Sequence, residues 1–107
     1  MTNPKLDTFR QMVARQPENA LARFGLANEA LKAGLHDEAR EHLEAYLARY
    51  DDEGNGYGRL ADALAHLGRT DEAKDALRRG VVASHRFGHP SMAAEFEARI
   101  EELEDEG

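Results

Sequence analysis

Residues 51–62 carry oxygen side chains at a spacing close to that of a calcium-binding loop. Acidic or amide groups stand at the first, third and fifth positions, a glycine at the sixth and a carboxylate at the twelfth. The twelfth residue is Asp62, where such loops use the longer glutamate, and Gly58 occupies the eighth position, where an apolar residue is expected. Because the helical pattern resumes at about residue 56, we interpret this segment as a turn that leads into a helix.

Histidine is the other residue type whose spacing suggests metal chemistry. His85 and His89 are four residues apart, which places two ligands on one face of a helix. A glycine and a proline interrupt the helix between and directly after them, so the geometry of the pair is not fixed. His36 and His42 are six residues apart and face different directions on a helix. We expect these histidines to be polar surface residues and predict no metal site.

The sequence contains few of the groups that catalysis requires. There is no cysteine, which excludes thiol nucleophiles, cysteine-bound zinc and iron–sulfur clusters. The two serines, Ser84 and Ser91, do not stand in a Gly-x-Ser-x-Gly turn, and the glycines do not follow a phosphate-binding spacing. We therefore expect a protein that is not an enzyme and has no cofactor.

Length and charge narrow the classes of partner. The 107 residues have room for one domain, which we assign to residues 1–107. The 21 acidic residues outnumber the 14 lysines and arginines, and a net charge of −7 would repel the phosphate backbone of a nucleic acid. No apolar run approaches the roughly 18 residues of a membrane span, and the absence of cysteine fits a reducing compartment. We expect a cytoplasmic protein that binds neither nucleic acid nor membrane.

The elements that carry these residues are predicted to be helices. Ala, Leu, Glu and Arg dominate the composition, β-branched residues are few, and glycine or proline recurs at intervals of roughly a dozen to fifteen residues. This pattern predicts an all-α fold with about six helices, at 4–16, 20–33, 36–49, 55–67, 70–85 and 91–104.

Local signals mark several helix ends. Asn3, Asn19 and Thr70 are residue types that cap a helix N-terminus, and each precedes a helical stretch. Gly34 and Gly68 suit helix C-terminal ends, where the backbone reverses.

A period of 34 residues runs through the middle of the chain. The pairs that match at this offset are Leu26 and Leu60, Ala27 and Ala61, Gly34 and Gly68, Ala39 and Ala73, Leu43 and Leu77, and Leu47 and Val81. They fit two packed helices, with glycine at the turn and alanine where the helices cross. A larger side chain at the crossing would push the helix axes beyond the usual distance of about 8–10 Å. The period therefore predicts a repeat of helix pairs.

With these matches the sequence resembles the tetratricopeptide repeat family, whose unit is a helix–turn–helix of about 34 residues. The resemblance implies two full units, at 20–53 and 54–87, preceded by a half unit at 4–18. Arg23 stands where the family has a bulky aromatic residue, and neither unit ends on proline. The implied fold is an α-solenoid, a right-handed superhelix of antiparallel helix pairs.

The last segment, 90–104, leaves the register of the repeats. Its apolar residues recur at helical spacing and form one stripe, made of Met92, Phe96, Ile100 and Leu103. Solenoids need an end element with one apolar and one polar face, so we interpret this segment as a capping helix. An acidic tail is expected at 105–107.

The resemblance also implies where a partner would bind. In this family the first helix of each pair lines a concave groove that usually takes an extended peptide or a helix of another protein. Transferred by repeat position, the groove is lined by Leu21, Phe24, Asn28, Leu31, Lys32, Asn55, Arg59, Asp62 and His66. Phe24 would anchor an apolar group or fill the core instead. Asn28 and Arg59 would bind a peptide backbone and a carboxylate, or would simply be solvated. The implied function is that of a protein or peptide interaction module.

Two alternatives to this groove involve other residues. Family members that clamp the C-terminal carboxylates of heat-shock chaperones use a set of lysine, asparagine and arginine residues, of which only Asn28 matches here. A structural domain that pairs with its own copy would expose apolar residues of the terminal helices, such as Leu6, Met12, Met92 or Phe96. We expect a monomer rather than a homodimer.

Overall fold

The computed structural model describes residues 3–106. These residues form no strand and six helices: α1 (Pro4–Arg15), α2 (Ala20–Lys32), α3 (His36–Arg49), α4 (Asn55–His66), α5 (Thr70–Arg86) and α6 (Pro90–Glu106). Every helix begins and ends within two residues of its predicted bounds, and the predicted all-α fold is confirmed. The tail expected at 105–107 is wrong as far as it is described, because α6 continues to Glu106, and Gly107 lies outside the described residues. None of the six helices is long and apolar enough to cross a membrane.

Side chains cap two of the helices at their N-termini as predicted. Asn3 and Asn19 each accept a hydrogen bond at 3.1 Å from the backbone N–H three residues further on. The prediction for Thr70 is wrong, because α5 already begins there and Arg69 holds the cap position without a side-chain hydrogen bond. The preceding turn is the reason, since Gly68 completes the end of α4 and leaves one residue before α5.

Gly34, Gly68 and Gly88 end their helices with the same backbone motif. Each has a φ angle of +75° to +77°, which a glycine adopts without the steric cost that a side chain would add. The residue after each glycine donates its N–H to a carbonyl five residues back, as Leu35 does to Ala30 at 2.8 Å. These turns reverse the chain and place the next helix antiparallel to the one that ends.

Successive helices pack against each other along the whole chain, from α1 on α2 to α5 on α6. Consequently α2, α4 and α6 lie on one side, the first-helix face, and α3 and α5 lie on the other, the second-helix face. The residues that the period places at the crossings are fully buried and small: Ala27, Ala39, Ala61 and Ala73. Leu43 and Leu77 fill the space beside them and are also fully buried.

Phe96 anchors α6 to the C-terminal end of the core. Its side chain is 5% exposed and lies against Gly54, Gly58 and Gly80. A Cβ atom at Gly58 or Gly80 would come within 2.9 Å of the ring, so the slot exists because these two positions have no side chain. The rest of the predicted apolar stripe packs against the same core: Met92, Ile100 and Leu103.

Candidate protein-binding face

The nine predicted groove residues lie on α2 and α4, two helices of the first-helix face. Five of them are exposed: Leu21, Lys32, Asn55, Arg59 and His66. Four are partly buried: Phe24, Asn28, Leu31 and Asp62. None is fully buried, but their contacts differ.

Phe24 lies between the core and the solvent. Its ring centroid is 4.9 Å from that of Tyr46, and its side chain packs against the main core cluster. The guanidinium carbon of Arg59 lies 5.9 Å from the same ring centroid, at the distance of a cation–π contact. Phe24 therefore fills part of the core and also supports a cation on the first-helix face.

Arg59 has unused capacity for hydrogen bonding. Its side chain is exposed and forms no ion pair with a carboxylate of residues 3–106. A guanidinium presents its donors as a planar fork that can bind a carboxylate through two parallel bonds. The contact with Phe24 restricts the orientation of this fork, which lowers the entropy that a ligand would have to remove.

Asn28 holds a polar atom that the protein does not satisfy. Its side chain is partly buried, and its Oδ1 atom is buried with no hydrogen-bond donor among the described residues. Most buried polar atoms in folded proteins have such a partner. Because this oxygen is buried, a ligand on the first-helix face could reach it only if the side chain or its neighbours moved.

A cleft of about 150 Å³ separates α4 from α6 on the first-helix face. It is lined by Asn55, Gly58, Arg59, Asp62, Phe96 and Arg99. One edge is closed by an ion pair in which the Nη2 atom of Arg99 donates to the Oδ1 atom of Asp62. The cleft thus brings together three predicted residues of α4 and two residues of α6 that the sequence analysis did not assign.

The contribution of α6 was missed because its apolar stripe indicated only a cap. A signal was present in the positions of the helices, since α2, α4 and α6 begin at residues 20, 55 and 90. This even spacing places α6 where the first helix of another pair would stand. Phe96 and Arg99 therefore belong to the first-helix face as well as to the cap.

The other residues predicted on α2 differ in side-chain exposure and in their contacts. Leu21 is 74% exposed and presents its aliphatic side chain to the solvent. Lys32 lies 3.6 Å from the carboxylate of Glu29 in an ion pair along the helix. Leu31 packs partly against the N-terminal core cluster. Of these three, Leu21 offers a ligand the most apolar surface.

His66 lies at the C-terminal end of α4 and is engaged by neighbouring groups. Its ring stacks on that of His36 with 4.3 Å between the centroids. Its Nδ1 atom is 2.8 Å from the carbonyl oxygen of Asp62, one helical turn earlier. These two contacts hold the imidazole near the turn and away from the cleft between α4 and α6.

Asp52 fixes the start of α4 and so the position of Asn55 and Arg59. Its Oδ1 atom accepts the backbone N–H groups of Gly54 and Gly56 at 2.7 and 2.8 Å. Its Oδ2 atom accepts the hydroxyl of Tyr46 at 2.6 Å, and burial raises the pKa of that hydroxyl. The segment with calcium-like spacing is thus a turn that leads into a helix, as interpreted.

Arg23 occupies the position where the resembled family has a bulky aromatic residue. Its Nε atom donates to the carbonyl oxygen of Pro17 at 2.7 Å, and its Nη1 atom lies 3.1 Å from Nδ1 of His42. Burial is the main cause that lowers the pKa of His42, which favours the neutral ring that can accept this bond. The Arg23 side chain therefore joins the α1–α2 loop to α3 through hydrogen bonds.

The residues named for pairing with a second copy are mostly inside the protein. Leu6 and Phe96 are 3% and 5% exposed, and Met92 packs partly against the core. Their apolar surface is therefore used within the chain. The Met12 side chain is 40% exposed, so part of its apolar surface is accessible to solvent.

Comparison with known proteins agrees with this architecture. The family described as tetratricopeptide repeat matches residues 1–84. A "TPR repeat-containing protein PA0015" of Pseudomonas aeruginosa is 26% identical over 99 residues, which cover 92% of this chain and 94% of that protein. The match covers α1 to α4 and nearly all of α5, whose helix pairs carry the period of 34 residues. The chain therefore belongs to the tetratricopeptide repeat family.

Proposed function

We propose that this protein is a non-catalytic interaction module that binds an extended segment of another protein across its first-helix face. Tetratricopeptide repeats generally mediate interactions between proteins, and that general role extends to this chain through its family. The observation that carries the proposal is the position of Arg59. It is an exposed cation that forms no ion pair within residues 3–106, it contacts the Phe24 ring and it lines the α4–α6 cleft.

The chemistry around Arg59 defines the segment that would fit. Asn55 on α4 has an exposed side-chain amide, and Leu21 on α2 has an exposed apolar side chain. A segment lying across α2 and α4 would place an apolar side chain against Leu21 and a carboxylate at Arg59. Its backbone would hydrogen-bond to the exposed side-chain amide of Asn55.

Peptide selection followed by a charge reversal tests this assignment. Random peptides displayed on phage are selected against the protein, and the best sequences are measured by fluorescence anisotropy. Arg59→Glu should weaken their binding at least about tenfold, because an attractive charge becomes a repulsive one. Arg15→Glu is the matched control, since Arg15 is exposed at the end of α1.

Two outcomes would contradict the proposal. Equal weakening by both variants would mean that only net charge matters. Unchanged binding by Arg59→Glu, with circular dichroism showing intact helices, would place the selected peptides elsewhere on the surface.

We also propose that the module acts as a monomer. Leu6 and Phe96 are used in the core, which leaves the terminal helices little apolar surface for a second copy. Light scattering should give a mass near 11.9 kDa at low and high salt. A stable dimer mass would contradict the proposal of a monomer. It would not decide the groove assignment, which the Arg59→Glu experiment tests separately.

A further inference from the structure

A second cavity lies on the second-helix face, on the other side of the α4 axis from the candidate groove. The helices α3 and α5 each pack against α4 more than against each other, and the gap between them measures about 240 Å³. It is lined by three residues of α3, two of α4 and four of α5. This volume is below the range of about 300–1,000 Å³ typical of small-molecule sites, and it suits one long side chain.

The floor of this cavity is apolar. Leu60 and Leu64 of α4 and Ala76 of α5 are at most 4% exposed, so they form its base. Leu47 is half-buried and Ala48 is exposed on the α3 wall. An aliphatic chain inserted between α3 and α5 would bury its methylene groups against these residues.

Carboxylates stand on both walls of the rim. Glu44 uses its Oε2 atom to accept from Arg40 at 2.9 Å, and Glu72 uses its Oε2 atom to accept from Arg69 at 2.6 Å. Within residues 3–106, neither Oε1 atom accepts a side-chain hydrogen bond. Asp75 is exposed and forms no ion pair within the same part of the chain. The rim therefore retains acceptors for a cation.

The guanidinium of Arg79 is the positive group among the lining residues. It lies 5.6 Å from the ring centroid of Tyr57, in a cation–π contact with that ring. Three carboxylates and one guanidinium line the cavity. Two of these carboxylates already pair with arginines outside the lining, so within residues 3–106 the unpaired negative charge is that of Asp75. The whole chain has a net charge of −7, which attracts cationic partners over a longer distance.

We propose that this cavity binds a lysine or arginine side chain from a basic segment of a partner protein. The aliphatic stem lies on Leu60 and Leu64, and the charged head reaches the free oxygens of Glu44, Glu72 and Asp75. Lysine and arginine combine an apolar stem with a charged end in this way. The site is separate from the first-helix face, so the protein would engage a basic segment on one face and another segment on the opposite one.

Nuclear magnetic resonance titration of the 15N-labelled full chain tests the site. The probe is a short amphipathic peptide of lysine, leucine and alanine, and the matched control peptide has glutamate in place of lysine. The lysine peptide should shift the amide signals of Leu47, Ala48 and Ala76, and the glutamate peptide should not. Shifts centred on Arg59 instead, or equal shifts with both peptides, would overturn the proposal.

Two pairs of variants separate the cavity from general charge attraction. Asp75→Lys should weaken binding of the lysine peptide about tenfold, whereas Glu101→Lys makes the same charge change on an exposed position of α6 and should have little effect. Ala48→Leu should weaken binding by filling the cavity without changing charge, and Ala94→Leu is its control on an exposed position of α6. Equal effects within either pair would overturn the assignment, and heteronuclear spectra of each variant verify its fold.

Discussion

Both ends of the helix stack place a phenylalanine against glycine, but the two contacts differ in depth. At the N-terminal end, Phe9 of α1 lies against Gly25 of α2 and remains partly exposed. At the C-terminal end, Phe96 of α6 is 5% exposed and contacts glycines of both α4 and α5. The first contact joins two neighbouring helices, whereas the second joins α6 to a complete helix pair.

This difference indicates how the stack distributes its stability. A ring enclosed by two helices cannot leave without opening a cavity between them, and the cost of such cavities is high. A ring at an edge can turn toward the solvent and lose only part of its buried area. The C-terminal junction should therefore be the stronger of the two, although α6 lies outside the matched repeat segment.

Truncation of each ring gives the largest expected difference. Phe96→Ala should lower the free energy of unfolding by about 3–5 kcal/mol, because it leaves a cavity among three helices. Phe9→Ala should lower it by about 1–2 kcal/mol, because this ring is only partly buried. Urea unfolding followed by circular dichroism measures both values. Equal losses, or a larger loss for Phe9→Ala, would contradict the conclusion that the C-terminal junction is the stronger one.

The junction between α3 and α4 should be intermediate in effect. Asp52→Ala removes the acceptor of two N–H groups at the start of α4 and leaves the buried Tyr46 hydroxyl unpaired, at a cost of about 2–3 kcal/mol. Asp52→Asn keeps an oxygen acceptor and should cost clearly less. The same urea experiment measures both variants, and a similar loss for both would assign the effect to the charge instead of the cap.

Replacing a glycine by alanine at each phenylalanine contact tests how much room each ring has to move. Gly80→Ala places a Cβ atom within 2.9 Å of the buried Phe96 ring. It should cost about 1–2 kcal/mol after the gain in helix propensity. Gly25→Ala creates a shorter contact, between the new Cβ atom and the Phe9 ring. That ring can turn outward, so the net change should be close to zero. Destabilisation by Gly25→Ala alone would show that the N-terminal end is the rigid one.

The smallest expected effect is the change in the free energy of unfolding with pH that His42 causes in the N-terminal half. Burial lowers the pKa of His42 in the folded protein, so the unfolded chain binds more protons between that lowered value and the ordinary value of about 6.5. The free energy of unfolding should therefore fall as the pH decreases through this interval. His42→Gln should reduce the slope in urea titrations between neutral and acidic pH. An unchanged slope would mean that other groups account for the dependence.

The sequence alone was sufficient for the features that depend on local spacing. The helix bounds followed from glycine and proline positions, and the turn glycines Gly34 and Gly68 followed from the period of 34 residues. The predicted cap at Thr70 is wrong because α5 already begins at this residue and Arg69 holds the cap position. Local patterns thus predict elements well and their exact ends less well.

Contacts between distant segments could not be predicted in this way. The ion pair of Asp62 with Arg99 joins residues 37 positions apart, and the bond of Tyr46 to Asp52 depends on how α3 meets α4. The unsatisfied oxygen of Asn28 depends equally on its neighbours in space. Helical periodicity assigns a residue to a face but does not identify what stands opposite.

Phe96 belongs both to the buried anchor of α6 and to the wall of the α4–α6 cleft. A segment that fills the cleft would therefore act on the side chain that keeps α6 docked. Since such a segment binds only the docked form, its binding energy adds to the energy needed to release the helix. The amide protons of α6 would then exchange more slowly with solvent along the whole helix, even where no ligand touches them. If the proposed segment binds in the cleft, the hydrogen-exchange rate of α6 would therefore decrease when the cleft is occupied.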